Sequence, residues 1–285
     1  MSKVAIITDS TSYIPANMLE SLPVSVVPLQ VIFGHDVFLD NVTIHPEEFY
    51  TRLQTSKVNP STSQPSPETF KHLYLKLLDD GFDVLTIVIS SKLSGTMDSA
   101  LQAQAELPGA PVEVLDTWST SMAMGYLVLT VARAAAQGAT LHECKTLAEM
   151  GREKIGALFT VSTLEYLHRG GRIGGAAAFL GTTLDLKPIL TLKEGKIEAM
   201  ERVRTLSKAT DRLVDIFLAR ANGHKTIRLG FLHAKAKEEA TALMEKVHAR
   251  IPSSMISESI LAEFSPVIGT HTGPGTIGIA YMLGM

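Results

Sequence analysis

Residues 84–107 read VLTIVISSKLSGTMDSALQAQAEL. The first part, residues 84–89, is an apolar run of strand length, and the small polar residues after it lead into a helical pattern over residues 97–107. The Ser-Gly-Thr sequence at residues 94–96 is typical of a helix start. A strand, a polar turn and a helix in this order begin a βαβ unit, so the stretch predicts a parallel sheet.

The same order recurs in the first half of the chain. Residues 4–7 and 112–115 are further strand-like runs, and helical patterns cover residues 14–22 and 70–78. Between them, residues 58–67 combine three prolines with hydroxyl and amide side chains, which predicts an extended loop. The fold class predicted here is α/β, with a mostly parallel N-terminal sheet and flanking helices.

The second half has a different composition, with strands that are not regularly followed by helices. We place a domain boundary near residue 157, which gives an N-terminal α/β domain over residues 1–157 and a C-terminal mixed α/β domain over residues 158–285. The glycines of residues 170–175 predict a flexible surface segment. Strands are expected over residues 157–161, 189–192, 197–203, 227–232 and 256–264, and helices over residues 206–221 and 235–251.

Composition excludes several classes of protein. The chain has 285 residues, 45% of them apolar and 19% charged, which supports a large core and argues against disorder. A net charge of −3 does not favour nucleic acid as a partner. Cys144 is the only cysteine, so intrachain disulfides and four-thiolate metal sites are excluded, and we expect a structural thiol in a reducing compartment.

Targeting signals are not evident. The first residues run directly into a strand-like sequence without the features of a signal peptide, so we expect a cytoplasmic protein. The most apolar stretch, residues 122–136, contains Gly125 and Arg133 and is too short to cross a bilayer. No transmembrane segment is expected, and transient contact with a membrane surface stays open.

The common catalytic and cofactor motifs do not occur. Residues 273–278 match the glycine spacing of a dinucleotide fingerprint, but they lie too close to the end of the sequence for the rest of that unit. Phosphate-binding loops, nucleophile elbows and metal-ligand spacings are not found. We therefore expect neither a cofactor nor a metal site, and no catalytic residue is assigned.

Hydroxyl-rich loops follow several predicted strands, at residues 8–12, 61–66, 90–96 and 269–275. Ligands of open α/β sheets bind in the crevice beyond the carboxyl ends of the strands, where such loops converge. Hydroxyl and backbone N–H groups at a helix start can hold an anionic oxygen, so these loops suit a carboxylate. The alternative is that the same side chains only cap helices and fill turns.

A series of motifs along nearly the whole chain resembles the DegV family. They are TSQPS at residues 62–66, LSGT at 93–96, LEYL at 164–167, RGGRI at 169–173, KPIL at 187–190 and HTGPG at 271–275. The resemblance implies two α/β domains with a lipid tunnel, and a head-group site near their junction. It implies binding of a long-chain fatty acid such as palmitate and presentation of its carboxylate to the ATP-binding subunit of a bacterial fatty acid kinase.

The resemblance also implies roles for individual residues. Thr62 and Ser94 match the positions whose hydroxyls hold the carboxylate, and Ser63, Gly95 and His271 would form a second tier around it. Residues 116–119 depart from the pattern, because a threonine follows the aspartate where the family has a serine, which leaves the hydrogen bonding of that loop less certain.

Arg169 and Arg172 lie on the glycine-flanked basic segment. Because a guanidinium suits carboxylates and phosphates, we expect Arg172, together with Arg169, to contact the kinase partner or an acyl phosphate. The alternative is solvated loop charges. An enzyme also stays open, in which His271 acts with Ser94 or Thr62 as an acyl or phosphoryl transferase, and so does a lipid-responsive regulator without a kinase.

Overall fold

The computed structural model of the chain describes residues 3–181 and 186–285, which contain thirteen strands and ten helices. The strands are β1 (Lys3–Asp9), β2 (Val24–Val27), β3 (Gln30–Phe33), β4 (Asp36–Leu39), β5 (Ser61–Ser63), β6 (Phe82–Val88), β7 (Val112–Asp116), β8 (Ile155–Thr160), β9 (Lys187–Lys193), β10 (Lys196–Val203), β11 (Ile227–His233), β12 (Ile256–Glu263) and β13 (Ile277–Leu283). The helices are α1 (Ala16–Leu19), α2 (Pro46–Thr55), α3 (Pro67–Asp79), α4 (Thr96–Ala105), α5 (Ser121–Ala136), α6 (Leu141–Arg152), α7 (Glu165–Arg169), α8 (Leu206–Ala221), α9 (Lys237–His248) and α10 (Pro266–Thr272).

A parallel sheet of four strands, in the order β2-β1-β6-β7, confirms the prediction from residues 84–107. Alternate residues of β6 face opposite sides, because side chains alternate along a strand. Val84 and Val88 pack with α3 and α4, whereas Leu85 and Ile87 belong to the core cluster that contains side chains of α5 and α6. Burial on both sides explains why the strand is apolar throughout and does not alternate with polar residues.

Helix α5 lies between this sheet and a second one. It packs against β1 on one side and against β8, β11 and β13 on the other, and twelve of its sixteen residues are buried. The Tyr126 hydroxyl donates to the Leu229 carbonyl oxygen at 2.6 Å. The apolar stretch 122–136 is therefore a helix buried on nearly all sides, as expected for one that is hydrophobic around its whole circumference. No helix of the described residues has both the length and the apolar character of a membrane span.

The second sheet has six strands in the order β10-β9-β8-β13-β11-β12. All its neighbours are antiparallel except β11 and β12, so it is mixed, as expected for the second half. The predicted hairpin of β9 and β10 is confirmed, and α8 has the bounds predicted for it. Strand β13 is a central strand that was not predicted; it is buried along its whole length, so its sequence does not alternate between apolar and polar residues.

Other expectations need correction. Residues 58–67 are not only an extended loop, because β5 pairs with β3 in a small antiparallel sheet of order β4-β3-β5. The helix expected over residues 14–22 is reduced to the single turn α1. The proposed boundary at residue 157 falls inside β8, and the division of the chain into domains stays a prediction. Cys144 is buried, and burial raises the pKa of its thiol, which fits the expected structural role.

Candidate functional site

A cavity lies where the carboxyl end of the parallel sheet meets the six-stranded sheet and α10. The space between its walls, including the part that is open to solvent, measures about 880 Å³. Most of the wall is apolar. Its aliphatic and aromatic side chains come from several elements, among them Ile89, Leu158, Leu167, Leu232, Phe264 and Ile279. Such a wall suits a ligand that is largely hydrocarbon.

Polar side chains gather at one end of this cavity, and two of them form a hydrogen bond. Thr62, on β5, and His271, on α10, place Oγ1 and Nε2 2.8 Å apart. The pairing of β5 with β3 holds Thr62 opposite Val31. Strand β5, where an extended loop was expected, is therefore what positions this hydroxyl. Two residues separated by 209 positions in the chain thus meet at one site.

Helix α10, which carries His271, is anchored at its start by a buried carboxylate. Asp40 accepts hydrogen bonds from the Ser265 hydroxyl at 2.8 Å and from the Val267 N–H at 3.2 Å. Burial raises the pKa of Asp40 to about 6. After the helix, Gly273 has φ 72° and packs against the ring of Tyr166, so a side chain would be strained there and would collide with that ring. The HTGPG motif therefore fixes the end of α10.

His271 is neutral in this setting. Burial, and then the charge of Arg172, lower the pKa of His271 to about 4. Its Nδ1 has no hydrogen-bond partner among the described residues. A neutral ring can donate from Nε2 to Thr62, which leaves the threonine hydroxyl free to donate to a ligand.

Ser94 contributes a second hydroxyl to the cavity wall. It lies in the turn before α4, where its Oγ is 2.9 Å from the Thr96 Oγ1 and accepts from the Thr96 N–H at 3.3 Å. Gly95 faces the side chain of Gln64, and a Cβ at residue 95 would lie 2.9 Å from the Gln64 Nε2. The glycine thus allows the loop that carries Thr62 to approach this turn closely.

Arg172 also lines the cavity, which was not expected of a flexible basic segment. Its Nε donates to the Leu93 carbonyl oxygen at 2.9 Å and its Nη1 to the Gly170 carbonyl oxygen at 2.7 Å. Residues 170–175 are partly exposed, but this side chain is half-buried and directed into the protein. Among the described residues of the wall, Arg172 is the single formally charged side chain, and its charge favours an anion.

The remaining expected site residues lie at different distances from the cavity. Ser63 lines it beside Thr62, with a long hydrogen bond of 3.4 Å from its hydroxyl to the Gln64 carbonyl oxygen. Arg169 is outside the wall, on the exposed side of α7, where it forms an ion pair with Glu165 at 3.3 Å. The partner-binding roles expected of Arg169 and Arg172 stay predictions.

Two hydroxyl residues of the wall were missed. Thr120 and Ser121 are almost fully buried where α5 begins, and both line the cavity. The signal available in the sequence was the concentration of serine and threonine between β7 and the apolar helix, where residues 117–121 read TWSTS. No motif drew attention to it, because serine and threonine before a helix normally serve as caps.

The chemistry available in the cavity is limited. A threonine hydroxyl beside an imidazole resembles a nucleophile with its base, but such a pair needs a third group that orients the base. Nδ1 of His271 has no such partner among the described residues, and a pKa of about 4 makes the ring a weak base at neutral pH. The described residues contain no cluster of metal-ligating side chains. The arrangement is suited to binding a carboxylate with a long apolar tail.

Comparisons with known proteins agree on one family. The family model described as "Uncharacterised protein, DegV family" matches residues 3–283. A DegV domain-containing protein of Streptomyces coelicolor is 40% identical over 278 residues, which cover 97% of either chain.

Solved structures are similar in fold over nearly the whole chain. A DegV family protein from Thermus thermophilus, described as binding fatty acid, is 40% identical, with a TM-score of 0.93 and 99% of either chain covered. DegV from Bacillus subtilis, described as a fatty acid binding protein, is 31% identical, with a TM-score of 0.89, 99% of this chain and 100% of its own chain covered. These matches confirm the expected fold class.

Proposed function

Because the chain belongs to the DegV family, we propose that it binds one long-chain fatty acid and presents the carboxylate to a partner. The observation that carries this proposal is the cavity itself, with an apolar wall and one polar end formed by Thr62, Ser94, Arg172 and His271. The fatty acid binding described for the relatives from Thermus thermophilus and Bacillus subtilis supports the same assignment.

The hydrocarbon tail supplies most of the affinity. Palmitate has about fifteen CH₂ and CH₃ groups, and burial of each stabilises by roughly 0.8 kcal/mol, so the tail contributes about 12 kcal/mol before association costs. The apolar wall can bury such a chain because side chains such as Leu158, Leu232 and Ile279 are themselves out of contact with bulk water. Affinity should therefore rise with chain length until the cavity is filled.

The carboxylate sets the orientation of the acid. In the proposed complex the Thr62 hydroxyl donates to one carboxylate oxygen and accepts a hydrogen bond from Nε2 of the neutral His271 ring. The Ser94 hydroxyl donates to the other oxygen, and Arg172 adds favourable charge nearby. A hydrogen bond to a charged group contributes about 1.5–3 kcal/mol, which is small beside the tail but enough to decide which end faces outward.

The position of the polar end supports the proposed presentation to a kinase. Thr62, Ser63 and Ser94 are partly exposed and Gln64 is exposed, whereas most of the apolar wall is buried. An acid held there keeps its carboxyl group next to solvent, within reach of an ATP-binding subunit that would phosphorylate it. The chain on its own is proposed to be a carrier in fatty acid metabolism without turnover. The lack of a hydrogen-bond partner for Nδ1 of His271 among the described residues supports this proposal, because a catalytic imidazole is normally oriented by such a partner.

The experiment that tests the carrier function is extraction of lipid from the purified protein. Denaturation followed by mass spectrometry should release about one long-chain acid per chain, since an apolar cavity fills readily in a cell rich in lipid. Ala157 lines the cavity and Ala219 lies on the exposed side of α8. Ala157→Phe, which fills the cavity, should lower the yield of lipid, whereas Ala219→Phe should not.

Failure would take a simple form. If the extract holds no acid and the delipidated protein takes up neither palmitate nor oleate in stoichiometric amount, the carrier function is wrong. The kinase step is tested separately: the loaded protein should give acyl phosphate only when an ATP-binding subunit and ATP are both added.

A further inference from the structure

We propose that the cavity contains a second oxygen-binding subsite, formed by Thr120 and Ser121 at the start of α5, and that this subsite takes a hydroxyl group carried on the acyl chain. The ligand class would then be hydroxylated long-chain fatty acids. The inference rests on the proposed fatty acid binding and adds to it the kind of chain that is preferred.

The two hydroxyls differ from the other hydroxyls of the wall. Thr62 is bonded to His271, Ser94 to Thr96, and the Thr272 hydroxyl to the Ile268 carbonyl oxygen at 3.1 Å. Oγ1 of Thr120 and Oγ of Ser121 have no partner among the described residues, although Thr120 is 9% and Ser121 4% exposed. A buried hydroxyl without a partner is unfavourable, so a ligand that supplies one is favoured.

The start of α5 adds donors of its own. The first N–H groups of a helix have no partner within the helix, and a threonine at the N-cap normally accepts from one of them. Thr120 is the N-cap residue of this helix of sixteen residues, yet its side chain makes no capping hydrogen bond. The two unpaired hydroxyls therefore lie beside a helix start that the N-cap side chain leaves uncapped.

This place is distinct from the carboxylate end. The residues of that end are partly exposed and include Arg172, whereas Thr120 and Ser121 are buried, as the N-cap and first residue of α5. Apolar wall residues such as Leu232 and Ala280 lie on the strands that α5 packs against. Of the charged side chains in the described chain, none but Arg172 lines the cavity. A neutral oxygen that both donates and accepts, such as a hydroxyl, matches two hydroxyls and a helix start better than a second carboxylate does.

The test compares palmitic acid with monohydroxy palmitic acids that carry the hydroxyl next to the carboxyl group, near the middle, or at the chain end. At least one isomer should bind the delipidated wild-type protein about tenfold more tightly than palmitic acid. Ser121→Ala and Thr120→Val should each remove that preference while palmitic acid binds at least as tightly as before, because it offers these hydroxyls no partner. Because Thr120 makes no capping bond, Thr120→Val should not lower the melting temperature.

A matched control separates the subsite from buried hydroxyls in general. Oγ1 of Thr160 is also buried and unpartnered among the described residues, but Thr160 does not line the cavity. Thr160→Val should keep the preference for the hydroxylated isomer, and its loss in this variant would overturn the inference.

The remaining outcomes are also decisive. If palmitic acid binds but no hydroxylated isomer binds more tightly, the subsite holds only water and the inference fails while the carrier function stands. The inference also fails, and the carrier function stands, if the preference for the hydroxylated isomer survives in both Ser121→Ala and Thr120→Val. If no acid binds at all, the carrier function fails together with the inference.

Discussion

Thr62→Val is the most direct test of the carboxylate site. Valine has nearly the shape of threonine and suits the strand β5, so the substitution removes one hydroxyl and little else. In the complex proposed here that hydroxyl donates to the carboxylate and accepts from His271. The acyl tail does not depend on it.

The size of the effect follows from the kind of hydrogen bond. A bond to a charged acceptor contributes about 1.5–3 kcal/mol, so palmitate should bind roughly ten to a hundred times more weakly. The tail, at about 12 kcal/mol before association costs, keeps binding measurable. The free protein should also lose about 1–3 kcal/mol of unfolding free energy, because Nε2 of His271 loses its partner as well.

Calorimetric titration of the delipidated protein with palmitate measures the first quantity, and urea unfolding measures the second. Thr62→Ser is the matched control, since it keeps the hydroxyl and should bind palmitate almost as the wild type does. If Thr62→Val and Ser94→Ala both bind palmitate with wild-type affinity, the carboxylate lies elsewhere in the cavity and the orientation proposed here is wrong.

Two further predictions concern charge. Arg172→Ala should retain most of the affinity for palmitate but lose most acyl-phosphate formation with the kinase subunit; equal losses in both assays, or none in the kinase assay, would remove the docking role. The pKa of His271 is about 4 in the folded protein and about 6.5 in the unfolded chain, so the unfolded chain holds more protons between these values. The unfolding free energy of wild type relative to His271→Gln should therefore fall, by at most about 3 kcal/mol, as pH is lowered from about 7 to about 4. Asp40, whose pKa is raised, acts in the opposite sense but equally in both proteins. A difference that does not change with pH would contradict the neutral, buried state of His271.

Local patterns in the sequence were enough to predict the parallel sheet and the turn that carries Ser94. The strand over residues 84–89 and the helix after it depend on residues close to one another in the chain. The periodicity of their apolar residues and the polar turn between them are therefore enough to identify them. The roles of Thr62 and His271 at a carboxylate were expected only through the resemblance to the family, whereas the hydroxyl-rich sequences themselves predicted the convergence of the two loops. That convergence depends on β5 pairing with β3 and on Asp40 anchoring α10, which are contacts between distant parts of the chain.

Residues whose role depends on the direction in which their side chain points were predicted less well. The glycines around Arg172 favoured an exposed segment, but the carbonyl oxygens of Leu93 and Gly170 draw the guanidinium inward. Thr120 and Ser121 looked like an ordinary helix start, and only the structure shows that the start lines a cavity and is left without a cap. No pattern of hydrophobicity carries information of that kind.

The position of α5 between the two sheets limits how the ligand can travel. Separating the two sheets would expose to water a helix in which twelve residues are buried, at a large cost in free energy. We therefore expect the acid to exchange through a local opening at the polar end. In the proposed complex, a fatty acid would then enter with its methyl group first and leave with its carboxyl group first. A proposed partner would then meet the carboxyl end while most of the hydrocarbon is still buried, so only a short length of the tail would be exposed during transfer.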